Sequence, residues 1–262
     1  MKIAEIISSL EALAPSVLQE EYDNAGLITG NAGDICTGIL VSLDATEAVI
    51  QEAIDKKCNL VVAHHPIVFR GLKKINGKHY VERAIIKAIK NDIALFAIHT
   101  NLDNVLTGVN GKIADKIGLI NRSVLAPKQN LLQKLAVFVP QSHHKPLMEA
   151  LFAAGAGGIG QYSDCSFSTP GTGSFKGNDN TQPFVGRPGE RHYEPEVKVE
   201  VIFPVWLERK ILAAMRGAHP YEEIAFDVYS LANTYGQTGS GLVGELEQEM
   251  VYAQKMESLG VL

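Results

Sequence analysis

Two short strings carry the residue types that could do chemistry: His64-His65-Pro66 and, further on, His99-Thr100-Asn101-Leu102-Asp103. Imidazole nitrogens beside a carboxylate make a mixed N/O donor set that suits zinc, iron, manganese or cobalt. Each string directly follows a short apolar run, NLVVA in the first case and IALFAI in the second. Adjacent side chains of an extended chain point to opposite sides, so His64 and His65 suit two neighbouring ions better than one if the strand ends there. Pro66 helps by restricting His65 to extended geometry and by preventing a helix from starting. Plainer roles exist for each residue. The His pair can sit in a loop without a ligand, and Asp103 can cap a helix or close a turn beside Asn104. Asp44 is either a third contributor or part of the cap region of a helix that begins at Thr46. Asp23 and Asn24, in EYDNAGL, either hydrogen-bond a substrate or close a turn.

The remaining histidines carry less. His143 and His144 fall at a helix start, and His79 and His192 have no acidic or imidazole partner at ligand spacing. The runs GAGGIG and GTGSFKG lack the Gly-Lys-Ser/Thr of a phosphate loop, and the first follows a helix rather than a strand. Cys36, Cys58 and Cys165 are odd in number and widely spaced, which argues against a disulfide scaffold and against a thiolate metal site. Nor is there a Gly-x-Ser-x-Gly elbow or a Cys/His nucleophile motif, which favours metal-assisted over covalent chemistry.

The elements that must position these residues follow from periodicity. Ile3, Ile6, Ile7, Leu10 and Leu13 predict an amphipathic helix over residues 2–14 that Pro15 interrupts, and EEYDNAGLITG then reads as loop. GILVSL, NLVVA and IALFAI read as strands, each followed by a helix: TEAVIQEAIDKK capped by Thr46, YVERAIIKAIKN, and GVNGKIADKIGL. Strands alternating with helices predict a mostly parallel sheet covered on both faces, with the His64-His65 and His99–Asp103 strings at successive strand ends, where ligands of open α/β sheets collect. After Pro127 the rhythm changes to LQKLAVFVP, KPLMEALFAAG, YSDCSFST, EVKVEVIFP, WLERKILAAMRGA and EIAFDVYSL, an order βαββαβ that predicts a separate ferredoxin-like α+β module over about 131–232. Trp206, Ile211, Leu212 and Met215 should pack its second helix, and GTGSFKGNDNTQPFVGRPGE should be its long loop. A net charge of −5, from 24 basic and 29 acidic residues, gives no footprint for nucleic acid. The apolar runs are far too short to span a membrane, and the N-terminus is not built as a signal core, so a cytoplasmic protein is expected.

The strings YDNAGL, SLDATEAVIQEA, VVAHHPIVF and AIHTNLDNV, in that order and spacing, resemble the Nif-three-like family, whose members are often labelled GTP cyclohydrolase 1 type 2 homologues. Residues about 131–232, with His219-Pro220-Tyr221-Glu222-Glu223, are similar to the PII/CutA-like insertion of its longer bacterial members, and GQTGSGLVGEL to the re-entry into the main domain. The resemblance implies a two-lobed α/β domain: a first lobe over 1–130, the insertion over 131–232, and the start of a second, truncated lobe over 233–262. It also implies a pair of divalent metal ions (zinc, iron or manganese), a toroidal homohexamer, and a hydrolase activity on a nucleotide or other small molecule. His64, His65 and Asp103 are similar to the family's metal ligands, with His99 beside the site. The family's second lobe supplies a further His and Glu spaced four apart, and Leu262 precedes any such pair. The expectation is therefore that this chain holds at most one ion and leaves an apolar edge of its first sheet uncovered. The competing expectation is a non-catalytic metal-binding or regulatory protein with a PII-like module that senses a small molecule, or one whose module serves assembly.

Overall fold

A computed structural model describes residues 1–249. In chain order its helices and strands are α1 (Ile3–Leu13), β1 (Gly26–Thr29), β2 (Ile39–Asp44), α2 (Glu47–Asp55), β3 (Leu60–His65), α3 (Tyr80–Lys90), β4 (Ala94–Ala97), α4 (Thr100–Asp103), α5 (Val109–Ile117), β5 (Leu119–Pro127), β6 (Leu132–Pro140), α6 (His144–Ala154), β7 (Phe167–Phe175), β8 (His192–Pro204), α7 (Glu208–Ala218), β9 (Phe226–Leu231) and β10 (Gly239–Leu246). The chain divides into two compact units, one of Met1–Pro127 with the segment from Gln237 onward, the other of Lys128–Gly236. Residues 250–262, the last part of the segment read from sequence as a second lobe, lie outside the described residues.

The first unit is built on a four-stranded sheet in the order β1-β4-β3-β2, with β2, β3 and β4 parallel and β1 antiparallel to β4. Alternate residues of β3 face opposite ways, and the two cores divide accordingly. Val61 and Ala63 pack with Ile50 and Ala53 of α2 and with Ala84, Ile85 and Ala88 of α3. Leu60 and Val62 pack on the other side with Ile3 of α1, Phe96 and Ile98. Thr46 caps α2 as expected, its hydroxyl accepting from the Val49 N–H at 3.2 Å. Two expectations need correcting. Gly26–Thr29 is an edge strand rather than loop, its backbone recruited by β4 through long-range pairing that a four-residue string does not announce. The sheet is also not fully covered: on the outer edge β2 leaves Val41 77% and Leu43 61% exposed, because the residues around α1 pack over β3 and β4. The unit closes with β5 and β10, an antiparallel pair whose β5 the sequence reading missed among its Asn, Arg and Ser residues. Gly239 makes that pairing possible: at φ +154° its Cα lies so close to the backbone oxygen of Ala126 that a Cβ would collide with it. Among the described residues no helix is long and apolar enough to cross a membrane.

The second unit has the βαββαβ order, its four strands wholly antiparallel and arranged β7-β8-β6-β9. Leu135, Val137 and Val139 of β6 and Val199, Val201 and Phe203 of β8 meet Leu147 and Leu151 of α6 and Ile211 and Met215 of α7 in one core. Leu212 packs against its edge, and Trp206 sits at the rim, its ring 5.6 Å from that of Tyr235. The second strand of this unit falls later than expected, at Phe167–Phe175, and takes in part of the Gly-rich stretch read as loop. It is an edge strand, where Pro170 costs no ladder bond that a central strand would need.

Candidate metal centre

The parallel register brings the site together. Asp44 at the end of β2 is the register partner of His65 at the end of β3, and the Ile98 N–H donates to the Ala63 oxygen at 2.9 Å, so the chain beyond β4 passes alongside His64. After Ile98 the backbone turns sharply at His99, the residue that precedes the single turn of α4. The rings of His64, His65 and His99 then lie mutually 5.0–5.5 Å apart between centroids, and one ring nitrogen of each is within 4.8 Å of those of the other two.

Hydrogen bonds decide which nitrogen each ring turns inward. The Nδ1–H of His64 donates to the Ile98 carbonyl at 2.9 Å, that of His65 to Asp44 Oδ1 at 2.8 Å, and that of His99 to Asp23 Oδ1 at 2.8 Å. A carbonyl or carboxylate oxygen can only accept, so Nδ1 carries a proton in all three rings, and the neutral form of each has its lone pair on Nε2. Outward Nδ1–H bonds of this kind fix the tautomer and orientation of metal-binding histidines. The Asp103 carboxylate stands next to the group, Oδ1 3.8 Å from His64 Nε2, with its side chain 34% exposed.

Asp23 is the buried anchor of the arrangement. Its side chain has no exposed surface. Burial works to raise its pKa, yet the bonds it accepts from the Thr100 hydroxyl, His99, and the Asn24 and Thr100 N–H groups outweigh that, holding it below the usual 3.8. Asn24 contributes at one remove, its Nδ2 donating to the Val68 oxygen at 2.6 Å. Asn104 is buried as a structural clamp, donating to the Leu18 oxygen and Glu20 Oε1 and accepting from Ser240. A cavity of about 610 Å³ opens beside His65 and Asp44, with Phe69, Arg70 and Tyr80 on its wall.

The structure thus groups His64 and His65, two of the residues singled out from sequence, and places Asp103 beside them. It adds His99 as a full member of the cluster and shows that Asp44 and Asp23 hold rings. Strict alternation did not separate His64 from His65, because β3 ends at His65 and both rings turn toward the incoming His99. Elsewhere, His192 does have an acidic partner, Glu194 Oε2 at 2.9 Å, reached at the two-residue spacing that puts strand side chains on one face.

Comparison with known proteins places these observations. The sequence profile described as Duf34/NIF3 (NGG1p interacting factor 3) matches residues 1–260. A Bacillus subtilis protein named GTP cyclohydrolase 1 type 2 homolog is 43% identical over 94% of this chain and 66% of its own length, and one of the same name from Halalkalibacterium halodurans is 44% identical over 95% and 68%. Among solved structures, a Bacillus cereus protein related to NIF3 superposes with a TM-score of 0.85 at 42% identity, covering 99% of this chain and 69% of that one. This chain spans about two thirds of the length of the relatives it matches.

Proposed function

The chain belongs to the Duf34/NIF3 family, and on that premise we propose that its first unit is a divalent-metal centre and the core of a metal-dependent hydrolase. His64, His65 and His99 hold the ion through Nε2, and Asp103 is the fourth ligand. The observation that carries this reading is the outward commitment of all three Nδ1 protons, which leaves three imidazole lone pairs in one place. The donor set fits: three borderline nitrogens and one carboxylate oxygen suit zinc, iron or manganese. It is the complement of a single ion, so the paired-metal arrangement that the family resemblance implies needs donors beyond the described residues. A bound divalent cation supplies positive charge that polarises an electrophile and acidifies water, the chemistry of hydrolysis without a protein nucleophile. The chain's own part is to fix the imidazole tautomers through Asp23, Asp44 and Ile98, and to offer a cavity of small-molecule size whose Arg70 suits an anionic group such as a phosphate. A nucleotide fits that description and agrees with the names of the relatives.

We propose also that residues about 131–232 are the PII/CutA-like insertion, for which the observed βαββαβ order and strand arrangement speak. The homohexamer expected from the resemblance is checked by light scattering in solution. A regulatory reading, metal binding without turnover, is favoured by the second unit's having a core and a cavity of its own. The deciding experiment is elemental analysis of tag-free wild type, His65→Ala, His99→Ala and Asp103→Ala, followed by turnover on a panel of nucleotides and phosphoesters. Metal lost from the folded histidine variants, with turnover that follows the metal, supports the hydrolase. Metal content equal in all four overturns the site, and metal without turnover on any substrate favours the regulatory reading.

A further inference from the structure

The second unit contains a cavity of about 260 Å³ that no part of the metal centre uses. Its wall includes Phe138 of β6, Phe175 at the end of β7, Phe184, Tyr221 and the carboxylates of Glu196 and Glu222. Three of the rings meet at tilted angles, Tyr221 lying 5.8 Å from Phe175 and 6.3 Å from Phe184. Glu196, on the inner strand β8, is only 8% exposed. Its carboxylate lies directly over Gly173 of the neighbouring strand, where any Cβ would collide with it.

No basic side chain pairs with this carboxylate within 4.0 Å among the described residues. Glu196 Oε1 accepts from the Tyr221 hydroxyl at 3.0 Å, and Oε2 has no hydrogen-bond partner among the described residues. The lysines of the same strand pair go elsewhere, Lys198 to Glu200 at 3.2 Å and Lys134 to Glu200 at 4.0 Å. Lys176, at the cavity wall, forms no ion pair within 4.0 Å among the described residues. Nor does His219 supply charge: its Nε2–H donates to the Phe138 carbonyl and its Nδ1 accepts from the Tyr221 N–H, so it is neutral with both nitrogens engaged. Burial and the bond to Glu196 keep the Tyr221 hydroxyl protonated well above the ordinary phenol range, so it stays a donor. A carboxylate of low exposure with no ion-pair partner attracts an arriving cation more strongly than one in open water does. Aromatic faces attract the same class of ligand through their quadrupoles.

We propose that this cavity binds a small organic cation with an alkylammonium head, seated against the rings of Phe175, Phe184 and Tyr221 and neutralised by Glu196. A bare metal ion does not fit these walls, since among the described residues the metal-ligating side chains that converge on one point are those of the first unit, and the space far exceeds an ion's. The proposal is independent of the metal centre and survives its failure.

Calorimetric titration of the 262-residue chain with tetramethylammonium chloride at fixed ionic strength tests it, with tert-butyl alcohol as the uncharged near-isostere. The expected result is saturable millimolar or tighter binding of the cation, no saturation by the alcohol, and an affinity about tenfold weaker in Glu196→Gln. If Glu196→Gln does not fold by circular dichroism, Phe184→Leu decides, because that ring is half exposed and its replacement leaves the core intact. An unsaturable wild type, equal binding of the alcohol, or unchanged affinity in the folded variants overturns the proposal.

Discussion

Each unit has a neighbourhood rich in histidine, and the two treat the same side chain in opposite ways. In the first, His64, His65 and His99 each spend one nitrogen on an acceptor outside the group and bring a ring nitrogen within 4.8 Å of those of the other two. In the second the rings are scattered and absorbed into structure. Both nitrogens of His219 are engaged, His192 pairs with Glu194, His144 bonds Ser168, and His143 meets Phe184 edge-to-face. On the proposed reading, a ligand histidine is therefore marked less by having other histidines nearby in sequence than by having its Nδ1 proton committed outward. The adjacent pair His143-His144 makes the point: it has the same sequence pattern as His64-His65 and no common centre.

The sharpest way to break this contrast is metal content. His65→Ala and His99→Ala are each expected to lose most of the bound metal, about tenfold or more at limiting free ion, while His192→Ala and His144→Ala retain wild-type content. Plasma mass spectrometry on tag-free, folded protein reads this directly. Metal lost equally from a second-unit variant would erase the distinction.

Next in size is the effect of the outer carboxylates. Asp23→Asn removes the charge that orients His99 and sits wholly buried, so metal affinity should fall about 10- to 100-fold with the ligands themselves untouched. Asp44→Asn, at a side chain 54% exposed, should cost less than about tenfold. Competition against a colorimetric chelator measures both. A larger loss from Asp44→Asn than from Asp23→Asn would show that burial is not what gives the outer bond its strength.

The sequence carried His64 and His65 because a fully apolar run of strand length must end where its polar residues begin, and carried the βαββαβ order because alternation and helical period change over at recognisable breaks. It sets His99 beside the site, whereas the structure groups its ring with those of His64 and His65. Asp103 four residues on looked like the better ligand, and nothing local says that a single helical turn after His99 aims its ring back at β3. Asp23 was undecidable because its partners His99 and Thr100 lie more than seventy positions away, and the strand beside it, Gly26–Thr29, exists only through pairing with β4. The Gly-rich half of β7 was read as loop because Pro170, Gly171 and Gly173 are poor strand formers, whereas an edge position opposite β8 tolerates all three, and Gly173 is needed to admit Glu196.

On the structural side of the contrast, His219 should behave as a stability element. Burial is the main cause of its lowered pKa. Repulsion from His143 adds to that, and the bond to the Phe138 carbonyl and attraction to Glu196 oppose it. A histidine whose folded-state pKa lies below its ordinary 6.5 contributes stability that is complete above that value and is lost as pH falls through the lowered one. Unfolding of the second unit should thus become easier in mild acid. His219→Gln should cost about 1–3 kcal/mol at neutral pH by disturbing two buried bonds, and should flatten the acid dependence. Urea titrations at several pH values measure both. An unchanged slope in the variant would mean that another group sets the acid limit.

The smallest expected effect belongs to His144, which tests the contrast from its weak end. Its Nε2 makes one bond, to the Ser168 hydroxyl at 2.9 Å, across to the edge strand β7. The partner is a hydroxyl on a part-buried surface, so water can replace the lost bond and no buried charge is stranded. His144→Ala should therefore cost only about 0.5–1 kcal/mol of unfolding free energy and leave metal content untouched. Ser168→Ala should match it, and the double variant should be no worse than either single one if the bond is the whole of the effect. Additive losses would show that each residue acts through other contacts, and a loss above about 2 kcal/mol would mean that His144 is doing in the second unit the kind of positioning that the contrast reserves for the first.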